Sequence, residues 1–510
     1  MQALRAELIW GLLLIPAAAA GGCFLIRPNA PRRALLVLAA LGHAALTLCA
    51  WSGAVRPTAY GWIAIDAASL LFLSVTSILF LAASIYAVGY LAQEQRQLQS
   101  APREPDLDEE PPFTNYPEAT FTGCLLAFLA TMSLVAVSRH LGLMWVAVEA
   151  TTLASAPLIY FHRNSRSLEA TWKYLVICSV GIALALLGNF FLAVAARSYG
   201  GTPIPLTLDD LAAAAGSLDP RWLKGAFLLL LVGYGTKMGL APLHTWLPDA
   251  HSEAPSVVSA LLSGALLNCA FLTILRVHGL LVAAGLGAFS RELLVDFGLI
   301  SMTVAAVFLI RQADYKRMLA YSSIEHMGIL ALGVGIGGLA GLGALLHTVN
   351  HSLTKAMLFF AAGNILAVYR TKSTDQARGV LRVLPLTGVL WIAGFLAITG
   401  SPPFGPFLSE FMILKGAIDA HRPWIAAACL AALALAFIGM AGAVINMAYG
   451  TAAPGAAQRL DLSPIVPQRE PLWSILPPLA LGLAVLILGV YIPPPLGDLL
   501  RRAAEILHVQ

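Results

Sequence analysis

Gly233-Tyr-Gly-Thr-Lys237-Met-Gly-Leu-Ala-Pro-Leu-His-Thr-Trp-Leu-Pro-Asp249 places one lysine inside an otherwise apolar stretch, followed by Gly239, Pro242 and Pro248. The apolar run 223–247 around it reaches the ~20 residues that a helix needs to cross a bilayer. Backbone groups in lipid must be paired, so such a run is helical, and its glycine and prolines interrupt that helix. A charge in hydrocarbon costs roughly 2.5–3.5 kcal/mol even on a mild scale, which makes Lys237 a functional-site candidate.

The rest of the chain has the same character. Its 510 residues are 58% hydrophobic and 11% charged, against about one quarter charged in a soluble protein. Fourteen apolar segments have spanning length: 7–26, 34–55, 63–91, 119–138, 141–161, 170–196, 223–247, 256–282, 292–310, 318–337, 341–368, 384–414, 424–449 and 473–493. The expected fold is therefore an all-α polytopic membrane protein. The first run carries Pro16 and ends in Gly-Gly-Cys; more spans follow at once, so it reads as a retained helix rather than a signal peptide.

A net charge of +4 with no basic run offers nothing to a nucleic-acid backbone. Cys23, Cys49, Cys124, Cys178, Cys269 and Cys429 all lie in apolar segments without C-x-x-C spacing. They read as small hydrophobes rather than as disulfide or cluster ligands. Residues 93–118 (QEQRQLQSAPREPDLDEEPPFTNYPE) form a polar, acidic, proline-rich linker, and residues 206–218 a short helix outside the core with Thr207 as cap. Lysine and arginine are more frequent in the odd-numbered connections. That bias puts both termini outside and residues 93–118 in the cytoplasm.

A second span breaks at Thr399-Gly-Ser-Pro-Pro-Phe-Gly-Pro406, with Glu410 just beyond it. Broken helices in corresponding positions of two halves point to an ion site. Glu149 lies mid-span in Leu-Met-Trp-Val-Ala-Val-Glu-Ala-Thr-Thr-Leu, where a carboxylate needs a cation beside it. Lys237 and Lys173 are the candidates. Lysine suits a relay because it can release a proton in an apolar interior, whereas arginine stays charged. At an effective dielectric near 20, two charges about 7 Å apart interact by roughly 2.4 kcal/mol, more than a tenfold change in proton occupancy. A fixed ion pair fastening two helices is the rival role.

His347, His351 and Lys355 are spaced four apart, which lines one face of a helix with titratable groups. A metal site built on His-x-x-x-His lacks an obvious third ligand here, and core histidines held by hydrogen bonds are another possibility. Lys316 and Arg317 follow Asp314 at the start of a span, with Arg317 as a snorkelling anchor. Glu325 and His326 lie deeper and join the candidate polar axis, as does His244 beside the first break. No Walker A loop, dinucleotide fingerprint, haem pair or cluster ligand set stands out. No cofactor, metal or catalytic residue is therefore assigned, and the driving force falls to another subunit or an ion gradient.

Several long motifs resemble one family. They are Lys237-Met-Gly-Leu-Ala-Pro-Leu-His-Thr-Trp-Leu-Pro-Asp-Ala-His-Ser-Glu-Ala-Pro-Ser, Asp314-Tyr-Lys-Arg-Met-Leu-Ala-Tyr-Ser-Ser, the His347–Lys355 ladder with Leu-Phe-Phe-Ala-Ala-Gly-Asn, and Pro402-Pro-Phe-Gly-Pro-Phe-Leu-Ser-Glu410-Phe. Together they resemble the antiporter-like membrane subunits of respiratory complex I, Mrp antiporters and membrane-bound hydrogenases, over about residues 65–450. Within that family, the stretches at Glu169–Ile182 and Tyr321–Gly328 look most like hydrogenase-4 component F.

The resemblance implies two inverted five-helix repeats, each with a discontinuous helix. The expected division is 1–118 (three spans and a polar loop), 119–290 (first repeat), 291–450 (second repeat) and 451–510 (linker and last span). It implies a proton pathway through Glu149, Lys173, Lys237, His347, His351, Lys355 and Glu410, with His244, Asn268, Lys316, Glu325 and His326 secondary. The family often carries Lys or His in the eighth span; here Ser263 and Asn268 stand there, and neither titrates. The expected role is a subunit moving protons (or Na+) in a multisubunit, redox-driven complex of the bacterial inner membrane, with membrane and peripheral partners. An inorganic-carbon uptake or cation/proton antiporter subunit, and an anchor with a vestigial path, are the alternatives.

Overall fold

A computed structural model describes residues 2–53, 58–100, 117–197, 204–451 and 467–505. Helices Gln2–Leu25, Asn29–Ala50, Ala67–Ser100, Glu118–Val137, Leu141–Ile159 and Ser165–Ala195 form the first six spans. The eighth to eleventh are 256–283, Gly287–Leu309, Tyr315–Ile336 and Gly338–Tyr369, and the last two Pro423–Tyr449 and Leu472–Val490. Among the described residues, twelve helices are long and apolar enough to cross a membrane uninterrupted. The seventh and twelfth spans are each split in two, as Pro220–Met238 with Trp246–Glu253 and Pro385–Ile398 with Gly405–Asp419. The fourteen expected spans are thus all present. The second and sixth start five residues earlier than the hydropathy suggested, because Pro28 and the Asn164 capping box open those helices.

Both breaks have the same construction. Gly239 adopts φ +82° after Met238; its N–H bonds Thr236 O at 3.2 Å and Leu240 N bonds Gly235 O at 2.9 Å. Gly400 adopts φ +65°; its N–H bonds Ala397 O at 3.2 Å and Ser401 N bonds Leu396 O at 2.9 Å. Each is a Schellman end, where a left-handed glycine closes the helix and satisfies its last carbonyls. The first leaves Lys237 in the terminal turn, where the helix dipole favours a cation. The second presses Gly400 onto Glu410: a Cβ there would lie 2.0 Å from the carboxylate.

Small residues bring the spans around these breaks into backbone contact. A Cβ on Gly233 would meet Gly181 O at 2.6 Å, joining the sixth and seventh spans, and one on Gly298 would meet Gly328 O at 2.8 Å, joining the ninth and tenth. The 206–218 segment forms helix Leu208–Ala213, with Thr207 Oγ1 accepting from Asp210 N at 3.3 Å, as expected. Asp66 caps the third span through Ser69 N (2.6 Å) and pairs with Arg139 and with the buried Arg276 at 3.8 Å. After the last span, an amphipathic helix Pro494–Ala504 lies against the protein through Leu499, Leu500, Ala503 and Ala504. Of the acidic linker, 101–116 fall outside the described residues.

Candidate functional site

Lys237 is fully buried, and two hydroxyls receive its ammonium: Thr152 Oγ1 at 2.8 Å and Tyr174 OH at 2.6 Å. Thr152 Oγ1 donates in turn to Glu149 Oε2 at 3.2 Å. A single hydroxyl thus accepts from the lysine and donates to the carboxylate, a directional connection between the two charges. Ser179 holds the other Glu149 oxygen at 3.1 Å, and Ser155 lies 2.7 Å from Tyr174 OH. The Tyr174 ring also faces the ammonium, 4.4 Å from Nζ. A threonine three residues after Glu149 shares its helix face, which is why span five can supply both groups.

In the other half, His326, His347, His351 and Lys355 are all fully buried. His326 Nδ1 lies 2.8 Å from His347 Nε2, and His347 Nδ1 lies 2.9 Å from Ser409 Oγ. The His326 ring is 5.1 Å from that of His351. Spacing along one helix suggested a straight ladder from His347 to Lys355. The hydrogen bond instead crosses from the eleventh span to the tenth, so the polar groups zigzag between two helices. Lys355 Nζ donates to Leu319 O at 2.7 Å, and Glu325 and Glu410 are both buried nearby, each with an Oε1 that has no hydrogen-bond partner among the described residues.

Between the halves lies the eighth span, which contains a π-turn at Leu262–Leu266. Ser263 on that turn meets Ser323 Oγ at 2.8 Å, and Ser323 bonds Leu319 O at 3.0 Å, the carbonyl that receives Lys355. Asn268 donates to Gly264 O and to Ser352 Oγ, both at 2.7 Å, while its Oδ1 is buried without a hydrogen-bond partner among the described residues. Buried orphan atoms of this kind are where ordered water sits.

Residues 138–436, more than half of the chain, match the family model "NADH:quinone oxidoreductase/Mrp antiporter, TM". The chain belongs to that family. It is 40% identical over 383 residues to a hydrogenase-4 component F homolog of Methylacidiphilum infernorum, covering 75% of this chain and 78% of that one. Its fold resembles a chain of the archaeal membrane-bound sulfane sulfur reductase (TM-score 0.82, 21% identity, 99% and 97% covered). It also resembles a chain of the Mrp complex from Dietzia sp. (TM-score 0.80, 21% identity, 99% and 97% covered).

In this antiporter-family chain the sequence-derived candidates separate into groups. Glu149 with Lys237 forms one cluster, and His326, His347, His351, Lys355, Glu325 and Glu410 form another. Lys173 stands apart from Glu149: its ammonium pairs with Glu169 at 2.6 Å and Asp249 at 3.0 Å, on a half-exposed surface where Arg317 also reaches Asp249 at 3.2 Å. Lys316 is buried and caps the second half of the broken seventh span, donating to Ser252 O (3.2 Å) and Ala254 O. His244 lies within the break, edge-on to Tyr321 at 6.5 Å.

Three side chains went unnoticed in the sequence. Thr152 and Tyr174 are ordinary helix residues there, and only their approach to Lys237 gives them a part. His251 lies inside the quoted motif; it is fully buried, stacks on Phe359 at 5.2 Å, and neither ring nitrogen has a hydrogen-bond partner among the described residues. It lies within electrostatic reach of both Lys316 and Lys355. A histidine placed so near Asp249 in the motif was the signal that could have found it.

Proposed function

We propose that this chain is a proton-translocating membrane subunit of a multisubunit redox complex of the hydrogenase-4 or complex I type. The observation that carries this reading is a polar row, buried from Thr152 to Glu410 and half-buried at Glu149. It starts at Glu149, passes Thr152 to Lys237, and continues from Lys355 through His351, His326 and His347 toward Glu410. Each group can take or release a proton or, like the threonine, pass one on, and burial in apolar helices keeps bulk water from short-circuiting them. His251 connects the row to Lys316, and Lys173 with Asp249 and Arg317 forms a charged mouth on that same side. Ser263, Ser323 and Asn268, with intervening water, join the halves without a titratable side chain.

Glu149 also speaks for neighbouring subunits. It is only partly buried, and Val146 and Leu153 on the same helix are 51% and 63% exposed. A carboxylate at mid-bilayer depth is not stable against lipid, so a partner membrane subunit covers this face. In this reading the redox centres belong to peripheral partners. In our reading the protein lies in the bacterial inner membrane with both termini outside, and 119–290 and 291–450 act as two inverted half-channels.

Purification in mild detergent followed by mass spectrometry tests this assignment. Nickel–iron hydrogenase or quinone-oxidoreductase subunits are the expected companions. A zinc-binding carbon-uptake protein in their place would move the chain to gradient-driven transport.

A further inference from the structure

The histidine pair in the second half is also a ligand set. One ligand atom each from His326, His347 and Glu410 lie within 4.8 Å of one another, and all three side chains are buried. They come from three helices, the tenth, the eleventh and the second half of the broken twelfth, so helical spacing cannot reveal them. Along the sequence, His347 and His351 look like the natural ligand pair and lack a third member. In space the pair is His326 with His347, and Glu410 completes it.

The side chains have capacity to spare. His326 turns Nδ1 toward Nε2 of His347, and Glu410 Oε1 is buried without a hydrogen-bond partner among the described residues. His347 is already oriented by Ser409, which holds its Nδ1 at 2.9 Å and leaves Nε2 as the coordinating atom. Such second-shell support is what fixes a metal-binding imidazole. Two imidazoles and one carboxylate favour a borderline ion such as Zn2+ over Na+, Ca2+ or Mg2+, which prefer all-oxygen shells.

We propose that His326, His347 and Glu410 bind one Zn2+-class ion, and that the ion inhibits transport by replacing the proton held between the two imidazoles. The nitrogens stand 2.8 Å apart in that hydrogen bond. Tetrahedral coordination at about 2.0–2.1 Å needs them about 3.3 Å apart, a small opening of the rings. Water fills the fourth position. Because metal and protons compete for the same nitrogens, acid weakens binding. Binding itself is independent of the proton-path reading; only inhibition rests on it.

The test uses the full chain with its co-purifying subunits, isolated by a tag without histidine and loaded with Co2+ as a spectroscopic probe. One Co2+ per chain with the intense visible bands of a tetrahedral site is expected, displaced by Zn2+. Both His326→Gln and Glu410→Gln should weaken binding at least tenfold. X-ray absorption of the Zn2+-loaded wild type, which needs no variant to fold, should show two imidazole nitrogens and oxygen at about 2.0–2.1 Å. No stoichiometric metal in the wild type, an all-oxygen shell, or unchanged binding in well-folded variants would overturn the proposal. Zn2+ should also lower proton flux at least tenfold. Metal bound at these ligands without loss of flux would leave the site standing and count against the proton path.

Discussion

Replacing Glu149 by glutamine removes one charge and keeps the shape of the site. Lys237 Nζ lies 2.8 Å from Thr152 Oγ1, which lies 3.2 Å from Glu149 Oε2. The two charges are therefore at most about 6 Å apart, and at an effective dielectric near 20 they interact by at least about 2.8 kcal/mol. Each 1.4 kcal/mol is a factor of ten, so an equilibrium that depends on this charge pair changes by about a hundredfold when the pair is lost. Glu149→Gln should lower proton flux between tenfold and a hundredfold. The complex, reconstituted in liposomes with a pH-sensitive dye inside, would be driven by a potassium diffusion potential. Thr152→Val, which keeps both charges and deletes the hydroxyl between them, should also slow flux, whereas Thr152→Ser should restore it. Flux within twofold of wild type in Glu149→Gln would refute the coupling.

Other parts of the structure give further expectations. His251→Leu should leave assembly intact and cut flux at least tenfold, measured in the same liposomes; an unchanged rate would remove His251 from the path. Gly233→Ala forces a Cβ to within 2.6 Å of Gly181 O and 2.7 Å of Ala185 N, backbone atoms that cannot yield easily. It should destabilise by about 1–3 kcal/mol, visible as a lower unfolding temperature in detergent. Outside the spans, burial opposes ionisation of Asp66, but Arg276, Arg139 and the Ser69 N–H outweigh it and hold the carboxyl below its usual value. A depressed carboxyl contributes stability above its unfolded value near ~3.9 that is lost as pH falls through the folded value. Wild-type unfolding temperature should therefore fall more steeply below about pH 4 than that of Asp66→Asn.

The spans were legible because hydropathy needs only local composition. Both breaks were legible too, since Gly239, Pro242, Gly400 and the prolines after it act on their own backbone. Lys237, Glu149 and the histidines announced themselves by their cost in hydrocarbon. What stayed hidden depends on contacts between helices. Lys173 looked like a partner for Glu149, yet its helix turns it toward Asp249, because Tyr174 rather than Lys173 occupies the inward position. Thr152 and Tyr174 are cheap to bury and so carry no sequence signal. The His326–His347 bond arises from packing two successive helices face to face, and Glu410 approaches that pair from a third helix further along the chain. The π-turn at Leu262–Leu266 likewise has no local marker, although it is what presents Ser263 to Ser323.

The proposed path runs through Lys237, whose ammonium contacts both Thr152 and Tyr174. The most direct measurement is proton flux in reconstituted vesicles carrying Lys237→Met, a change that keeps volume and removes the charge. The variant should assemble with the same subunits as the wild type and move essentially no protons. An assembled Lys237→Met complex pumping at the wild-type rate would contradict the account.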